Sequence, residues 1–155
     1  MARVIIVDDH PFVRRGIQSI LKGFSQWELC GEADNGGDAI RIAAEKNPEL
    51  VIMDISMPGI NGIEAARTIH ERNPGTKIIL LTLHDSPELV RSAFRAGVQG
   101  YLLKVDAERE LVKAMKIVLD DGAYISPKVE PEIVKSVVHE MAEVSPRRSP
   151  ARRDA

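Results

Sequence analysis

The stretch Arg3–Gly16, RVIIVDDHPFVRRG, runs from four consecutive apolar residues straight into two adjacent carboxylates, Asp8 and Asp9, and then into Pro11. Val4–Val7 is apolar at every position rather than at every second one, which is the pattern of a strand buried on both faces. Proline is tolerated in the first turn of a helix, and Phe12, Ile17, Ile20 and Leu21 then recur on roughly one side. A buried strand, an acidic strand end and an amphipathic helix in immediate succession make one βα unit. Two like charges in contact at its hinge need an explanation.

The same unit recurs along the chain. WELCGEA (27–33), LVIMD (50–54), KIILLTL (77–83) and GYLLK (100–104) read as strands. Helical patterns follow near Asp38–Lys46, with Ala39, Ile40, Ala43 and Ala44 inward, near Ile63–Glu71, from Pro87, and over about Ala107–Leu119. Strands without polar alternation, each followed by a helix, predict an α/β fold with a parallel sheet covered on both faces. Five such units favour a flavodoxin-like, doubly wound, five-stranded sheet in the order 2-1-3-4-5, with five helices and a C-terminal linker segment.

The expected boundaries are one domain over residues 1–121, a linker over 122–144 and a tail over 145–155. The linker opens with GAYISPKVEP, and Ile133, Val134, Val137, Val138 and Met141 then recur at the spacing of a short amphipathic helix. The tail, SPRRSPARRDA, has four Arg against one Asp and no apolar face, and is expected to be disordered. Its net +3 leaves −5 on residues 1–144 out of the formal −2 for the whole chain. An acidic body is poorly suited to binding phosphate backbones.

At 155 residues, 44% hydrophobic and 28% charged, the composition is that of one globular domain with a short appendage. No apolar run reaches the length of a membrane span, and the N-terminus enters a strand rather than a basic then apolar leader, so no membrane association and a cytoplasmic location are expected. The lone Cys30 reads as a packed thiol.

In open α/β sheets, ligands bind beyond the C-terminal ends of the strands, where the strand order reverses. The residues at those ends are Asp8 and Asp9 on strand 1, Asp54 on strand 3, Thr82 on strand 4 and Lys104 on strand 5. Each has an ordinary explanation alone, as a cap, a strand residue or a surface ion. Together they place three carboxylates, a hydroxyl and an ammonium at one edge. Two carboxylates about 4 Å apart repel by roughly 4 kcal/mol at an effective dielectric of 20, and a divalent cation removes that conflict. Magnesium, with its preference for a few carboxylates plus water and phosphate oxygens, suits such a site. Asp54 is then the natural nucleophile for a phosphoryl group, with Lys104 and Thr82 placed to meet its oxygens.

At these residues the chain resembles the response regulator receiver domain of bacterial two-component systems. The resemblance covers roughly residues 2–120 and is carried by VDDHP, VIMDISMPGINGIEA, IILLT and GYLLK, in that order. It implies Asp54 as phospho-acceptor, Asp9 as a direct Mg²⁺ ligand with Asp54, Asp8 as a companion acting through water, and the backbone carbonyl of Ser56 completing the metal site. It also implies Thr82 and Lys104 as the pair that senses phosphate, and Tyr101 as an aromatic switch that moves inward when Thr82 engages it. Ser56 and His84, each two residues beyond a site residue, stand where phosphoryl lifetime is tuned.

DDHPFVRRGI, AGVQGYLLK and GAYISPKV are similar to the NarL/FixJ, or LuxR-type, branch of transcriptional regulators. The implied partners are a sensor histidine kinase, a second copy of the chain on phosphorylation, and promoter DNA through a helix-turn-helix domain. Val144–Arg147 is similar to the opening of such a domain, but no recognition helix follows, so the DNA-binding domain is expected to lie outside this chain. Val105 departs from the family, which commonly has Pro or Asp after the lysine. A stand-alone receiver acting by protein–protein contact is the first alternative. An aspartate-nucleophile phosphatase is disfavoured because the nucleophile follows strand 3 rather than strand 1, and a flavin-binding module because acids occupy the loop that would cradle phosphate. His10, His70, His84 and His139 show no metal-ligand spacing, and no P-loop occurs. The chain is expected to accept a phosphoryl group rather than to act as an enzyme on a separate substrate.

Overall fold

The computed structural model describes residues 1–84, 86–129, 131 and 133–140. Six parallel strands, β1 (Ala2–Val7), β2 (Trp27–Ala33), β3 (Leu50–Asp54), β4 (Lys77–Thr82), β5 (Gly100–Leu103) and β6 (Tyr124–Ile125), form one sheet in the order β2-β1-β3-β4-β5-β6. Five α-helices alternate with them: α1 (Pro11–Lys22), α2 (Gly36–Lys46), α3 (Gly62–Arg72), α4 (Pro87–Arg95) and α5 (Ala107–Leu119).

Successive strand residues point to opposite faces, and here both faces are covered. Val4, Ile6, Leu50, Ile52, Ile79 and Leu81 pack against Ile17 and Leu21 of α1 and Leu111, Met115 and Val118 of α5. Ile5, Val7, Val51, Met53, Ile78 and Leu80 pack against residues of α2, α3 and α4. This two-sided burial is why Val4–Val7 and the central strands read as apolar runs, whereas the edge strand β2 keeps Glu28 and Glu32 exposed. Cys30 packs against the second of these layers, and burial pushes its thiol pKa up.

Three expectations need correction. The sheet has six strands, not five: Gly100 pairs with Tyr124 and Tyr101 with Ile125. A two-residue strand is too short to carry a periodic signal. A 3-10 helix at Lys104–Asp106 adds to the five helices expected; residues 133–140 are helical, in keeping with the short amphipathic helix read in the linker. Two residues assigned to inward helix faces point outward: Phe12 is 80% exposed, and Ala44 is exposed. Five residues separate Phe12 from Ile17 and Ala39 from Ala44, an offset of about 140° at 100° per residue. Val13, four before Ile17, and Ile42, three after Ala39, take those places and pack against the core.

The segment after β6 is packed rather than extended away. Val129, Ile133 and Val137 are buried in the same cluster as Val90 and Phe94 of α4. Arg95 donates two hydrogen bonds to the Glu140 carboxylate, at 3.1 and 2.8 Å, and Arg91 donates to Ser136 Oγ at 3.3 Å. Met141, Val144 and the basic tail 145–155 lie outside the described residues.

Two details fix the strand ends. Gly62 opens α3 directly against the end of β3, its N–H donating to the Ile55 carbonyl at 2.8 Å. A Cβ there would collide with the Asp54 backbone oxygen and lie 2.8 Å from Ile55 Cα. Beyond β5, buried Asp106 accepts from Ser126 Oγ at 3.1 Å and pairs with Arg109 at 3.0 Å and Lys128 at 3.3 Å, while Ser126 Oγ also accepts from the Leu103 N–H at 3.2 Å. Asp106 thus ties β5 to the turn after β6.

Gly62→Ala gains helix propensity, worth up to about 1 kcal/mol, but meets backbone that has nowhere to go. A net loss of about 1–3 kcal/mol in denaturant unfolding is expected, as for other overpacked sites. For Asp106, burial opposes ionisation, but Ser126, Lys128 and Arg109 together hold its carboxyl below the usual range. A lowered folded pKa contributes stability that is present above the unfolded value of about 3.9 and is lost as pH falls through the folded value. Asp106→Asn should therefore lower Tm at pH 7, and its gap from the parent protein should close as melts are taken down through the carboxylate range.

Candidate functional site

Because β1 and β3 are neighbours in the sheet, with Val7 in register with Met53, the residues that follow them meet at one edge. Asp8, Asp9, His10 and Asp54 each bring one ligand-type atom into a group whose members lie within 4.8 Å of one another. Asp8 and Asp54 are buried, and Lys104 Nζ sits between them, 3.1 Å from Asp8 Oδ2 and 3.2 Å from Asp54 Oδ2. Three carboxylates against one ammonium leave an excess of two negative charges.

The electrostatics follow from that imbalance. Burial pushes the Asp54 carboxyl above the ordinary carboxylate range; Lys104 pulls it down, Asp8 pushes it up again, and the Ser56 N–H bond at 3.3 Å adds only a small opposing effect. Burial disfavours the charged form of Lys104, but Asp54 and Asp8 together outweigh it and raise its pKa. The lysine gains from two carboxylates, whereas each carboxylate has only a share of one lysine.

Asp8 Oδ1 accepts the His10 N–H at 2.8 Å, and the His10 ring Nδ1 lies 3.2 Å from the same oxygen and 3.1 Å from Asp9 Oδ1. Among the described residues, Asp8 Oδ2 and Asp9 Oδ1 are buried without a well-aligned hydrogen bond; Lys104 Nζ lies 3.1 Å from the first and the His10 ring Nδ1 3.1 Å from the second. Buried acceptor oxygens of this kind carry a desolvation cost unless a cation or donor meets them. Hard carboxylate oxygens in excess negative charge fit a small divalent cation such as Mg²⁺. His10 joins the group although it stands at no metal-ligand spacing from the other histidines; its neighbours in the chain, Asp8 and Asp9, were the available signal.

Thr82, also buried, accepts the His84 N–H on Oγ1 at 3.1 Å, which leaves its own proton available for donation. Tyr101 is fully buried and its hydroxyl donates to the His84 carbonyl at 2.7 Å. Burial of the ring is compatible with this partner for the hydroxyl. Ser56 and His84 are exposed at the rim. Asp54, Lys104, Asp8 and Asp9 are therefore brought together, with Thr82 and Tyr101 joined through the loop after β4. Sequence reasoning missed Arg14, whose guanidinium reaches the Asp8 backbone carbonyl at 2.6 Å. Its signal was the single turn of helix separating it from the acidic pair.

Among the described residues, no helix is long and apolar enough to cross a membrane. The family model of the response regulator receiver domain matches residues 4–116. The transcriptional regulatory protein DegU of Brevibacillus brevis is 36% identical over 133 residues, which are 86% of this chain and 56% of that protein. This chain thus spans little more than half the length of that relative. Among solved structures, a LuxR-family two-component response regulator from Aurantimonas sp. SI85-9A1 is similar with a TM-score of 0.79 and 33% identity, covering 92% of this chain and 99% of that one. The isolated REC domain of RcsB from Salmonella enterica serovar Typhimurium, in the presence of the phosphomimetic BeF3−, is similar with a TM-score of 0.76 and 28% identity, covering 85% and 97%. With its parallel sheet, its acidic strand ends and these relatives, the chain belongs to the response regulator receiver domain family, in the NarL/FixJ or LuxR-type branch.

Proposed function

We propose that this receiver is a Mg²⁺-dependent phosphorylation switch in which Asp54 accepts a phosphoryl group from a sensor histidine kinase in the cytoplasm. The observation that carries the reading is the meeting of Asp8, Asp9 and Asp54 around Lys104 at the switch point of the sheet. Asp9 and Asp54 hold the cation directly, Asp8 acts through water and the Ser56 carbonyl completes the set. Asp9 suits direct contact because its side chain is 27% exposed against 1% for Asp8. Bound Mg²⁺ supplies neutralisation of a phosphoryl oxygen. Lys104 offsets charge on another oxygen, and the Thr82 hydroxyl donates to a third. The solution of a similar receiver with a phosphomimetic supports reading the site this way.

For the output, Tyr101 and Thr82 couple the site to the α4 side through His84. Residues 1–121 serve as the receiver and 122–144 as the connection to further sequence, with 145–155 as a basic tail. The receiver associates with a second copy when phosphorylated and controls transcription through a DNA-binding region beyond this chain, as the name of the DegU relative suggests for that protein.

Incubation with acetyl phosphate and Mg²⁺ should add one phosphoryl group by mass spectrometry. Asp54→Asn and omission of the cation should each abolish the label; full labelling of the variant defeats the assignment. Metal roles are separable by titration: Asp9→Ala should weaken Mg²⁺ binding more than Asp8→Ala, since a direct ligand is lost in one and a water-mediated contact in the other. The opposite ranking would exchange their roles.

A further inference from the structure

The acidic pair is set on a chain that changes course within one residue. The β1 ladder closes at Val7, which is in register with Ala33 of β2 and Met53 of β3. The Asp8 N–H still donates to the Ala33 carbonyl at 3.1 Å, but the Asp8 carbonyl is the first beyond the ladder. It belongs to the peptide unit that joins Asp8 to Asp9. Its direction sets the rotation of that peptide plane, and with it the directions in which the two carboxylates leave the backbone.

Arg14 holds that carbonyl. It lies one turn into α1, and its guanidinium bridges the residue after β1 and a side chain of β2: one terminal nitrogen donates to the Asp8 carbonyl at 2.6 Å, while Nε donates to Glu32 Oε1 at 3.0 Å. The side chain is 20% exposed, so it is largely enclosed between α1 and the sheet. Glu32 has a second effect. A bare guanidinium beside a cation site repels the cation, and pairing with Glu32 offsets that charge while leaving the donor in place. An ammonium on a lysine stem has neither the planar fork nor the reach to serve both acceptors at once.

We propose that Arg14 is a positioning residue for the metal site, holding the Asp8–Asp9 peptide so that both carboxylates face Asp54, with Glu32 cancelling its charge. This rests on the Mg²⁺ reading of the site, and it makes a claim about the backbone that stands without the metal. Partners that orient a ligand from outside its coordination sphere typically change metal affinity 10- to 100-fold when removed. A backbone contact one residue from Asp9 belongs at the lower end of that range.

The test uses the full chain with Mg²⁺ as the only ligand. Arg14→Met keeps the aliphatic stem and removes the donors; Arg14→Lys keeps the charge; Glu32→Gln keeps the Arg14 contact and uncovers its charge. Isothermal titration should show Mg²⁺ affinity falling about 10-fold in Arg14→Met, with Arg14→Lys failing to restore it and Glu32→Gln giving a smaller loss that shrinks with added salt. Amide spectra without metal should show the Asp9 and His10 resonances displaced in Arg14→Met and near their parent positions in Glu32→Gln. Denaturant unfolding identifies the fraction folded, so that affinity is compared between folded species. Unchanged Asp9 and His10 resonances would overturn the positioning claim whatever the metal does. Displaced resonances with unchanged affinity would overturn its link to the metal site. Absence of Mg²⁺ binding by the parent protein would remove the underlying reading, and the link with it.

Discussion

Lys104 is a single ammonium set between two buried carboxylates, with a third acid beside them, and the fold is arranged around that shortage of positive charge. Like charges in a partly dry site repel strongly, and burial makes each of them harder to ionise. Burial is the first cause of the raised pKa of Asp54, with Asp8 adding to it; the pKa of Lys104, which burial alone would lower, is raised by Asp54 and Asp8, which share its one ammonium. A site with excess negative charge and hard oxygen atoms is receptive to a dication.

The supports around this edge are backbone supports. Gly62 lets α3 begin against the Asp54 peptide, the Asp8 carbonyl is held from α1, and Asp106 ties the end of β5 to the turn that follows β6. These contacts are made at the backbone that carries Asp8 and Asp54 and just beyond Lys104, and two of them use charged side chains, Arg14 and Asp106, each paired with an opposite charge.

The loop after β4 connects the edge to the remainder of the molecule. His84 donates to Thr82 through its N–H and accepts from Tyr101 through its carbonyl. Tyr101 belongs to the apolar cluster that also contains Val90 and Phe94 of α4 and Val129, Ile133 and Val137 of the C-terminal segment. A close-packed cluster of this kind transmits displacement rather than absorbing it, and Arg91 and Arg95 fasten the same segment to α4 by polar contacts. Site and C-terminal segment are thus joined by continuous contact.

The alternation of apolar runs with helical spacing was enough to determine the α/β class, the parallel sheet and the strand-end residues, because burial on both faces and period-3.6 amphipathicity are local properties of the chain. The acidic pair, Asp54 and Lys104 were legible for the same reason: a residue that ends a buried strand is visible as a charge interrupting an apolar run. What the sequence could not reveal depended on contacts between distant residues. β6 is a strand only because β5 lends it a ladder, and residues 133–140 are seated only because α4 offers them Val90, Phe94, Arg91 and Arg95. Phe12 was misplaced because a few apolar residues define a helix face only to within about one neighbour, and the sheet decides which neighbour goes in. Arg14 and Glu32 lie eighteen residues apart on different elements, and the Arg14 guanidinium meets both Glu32 and the Asp8 carbonyl only once β1, β2 and α1 have been packed together.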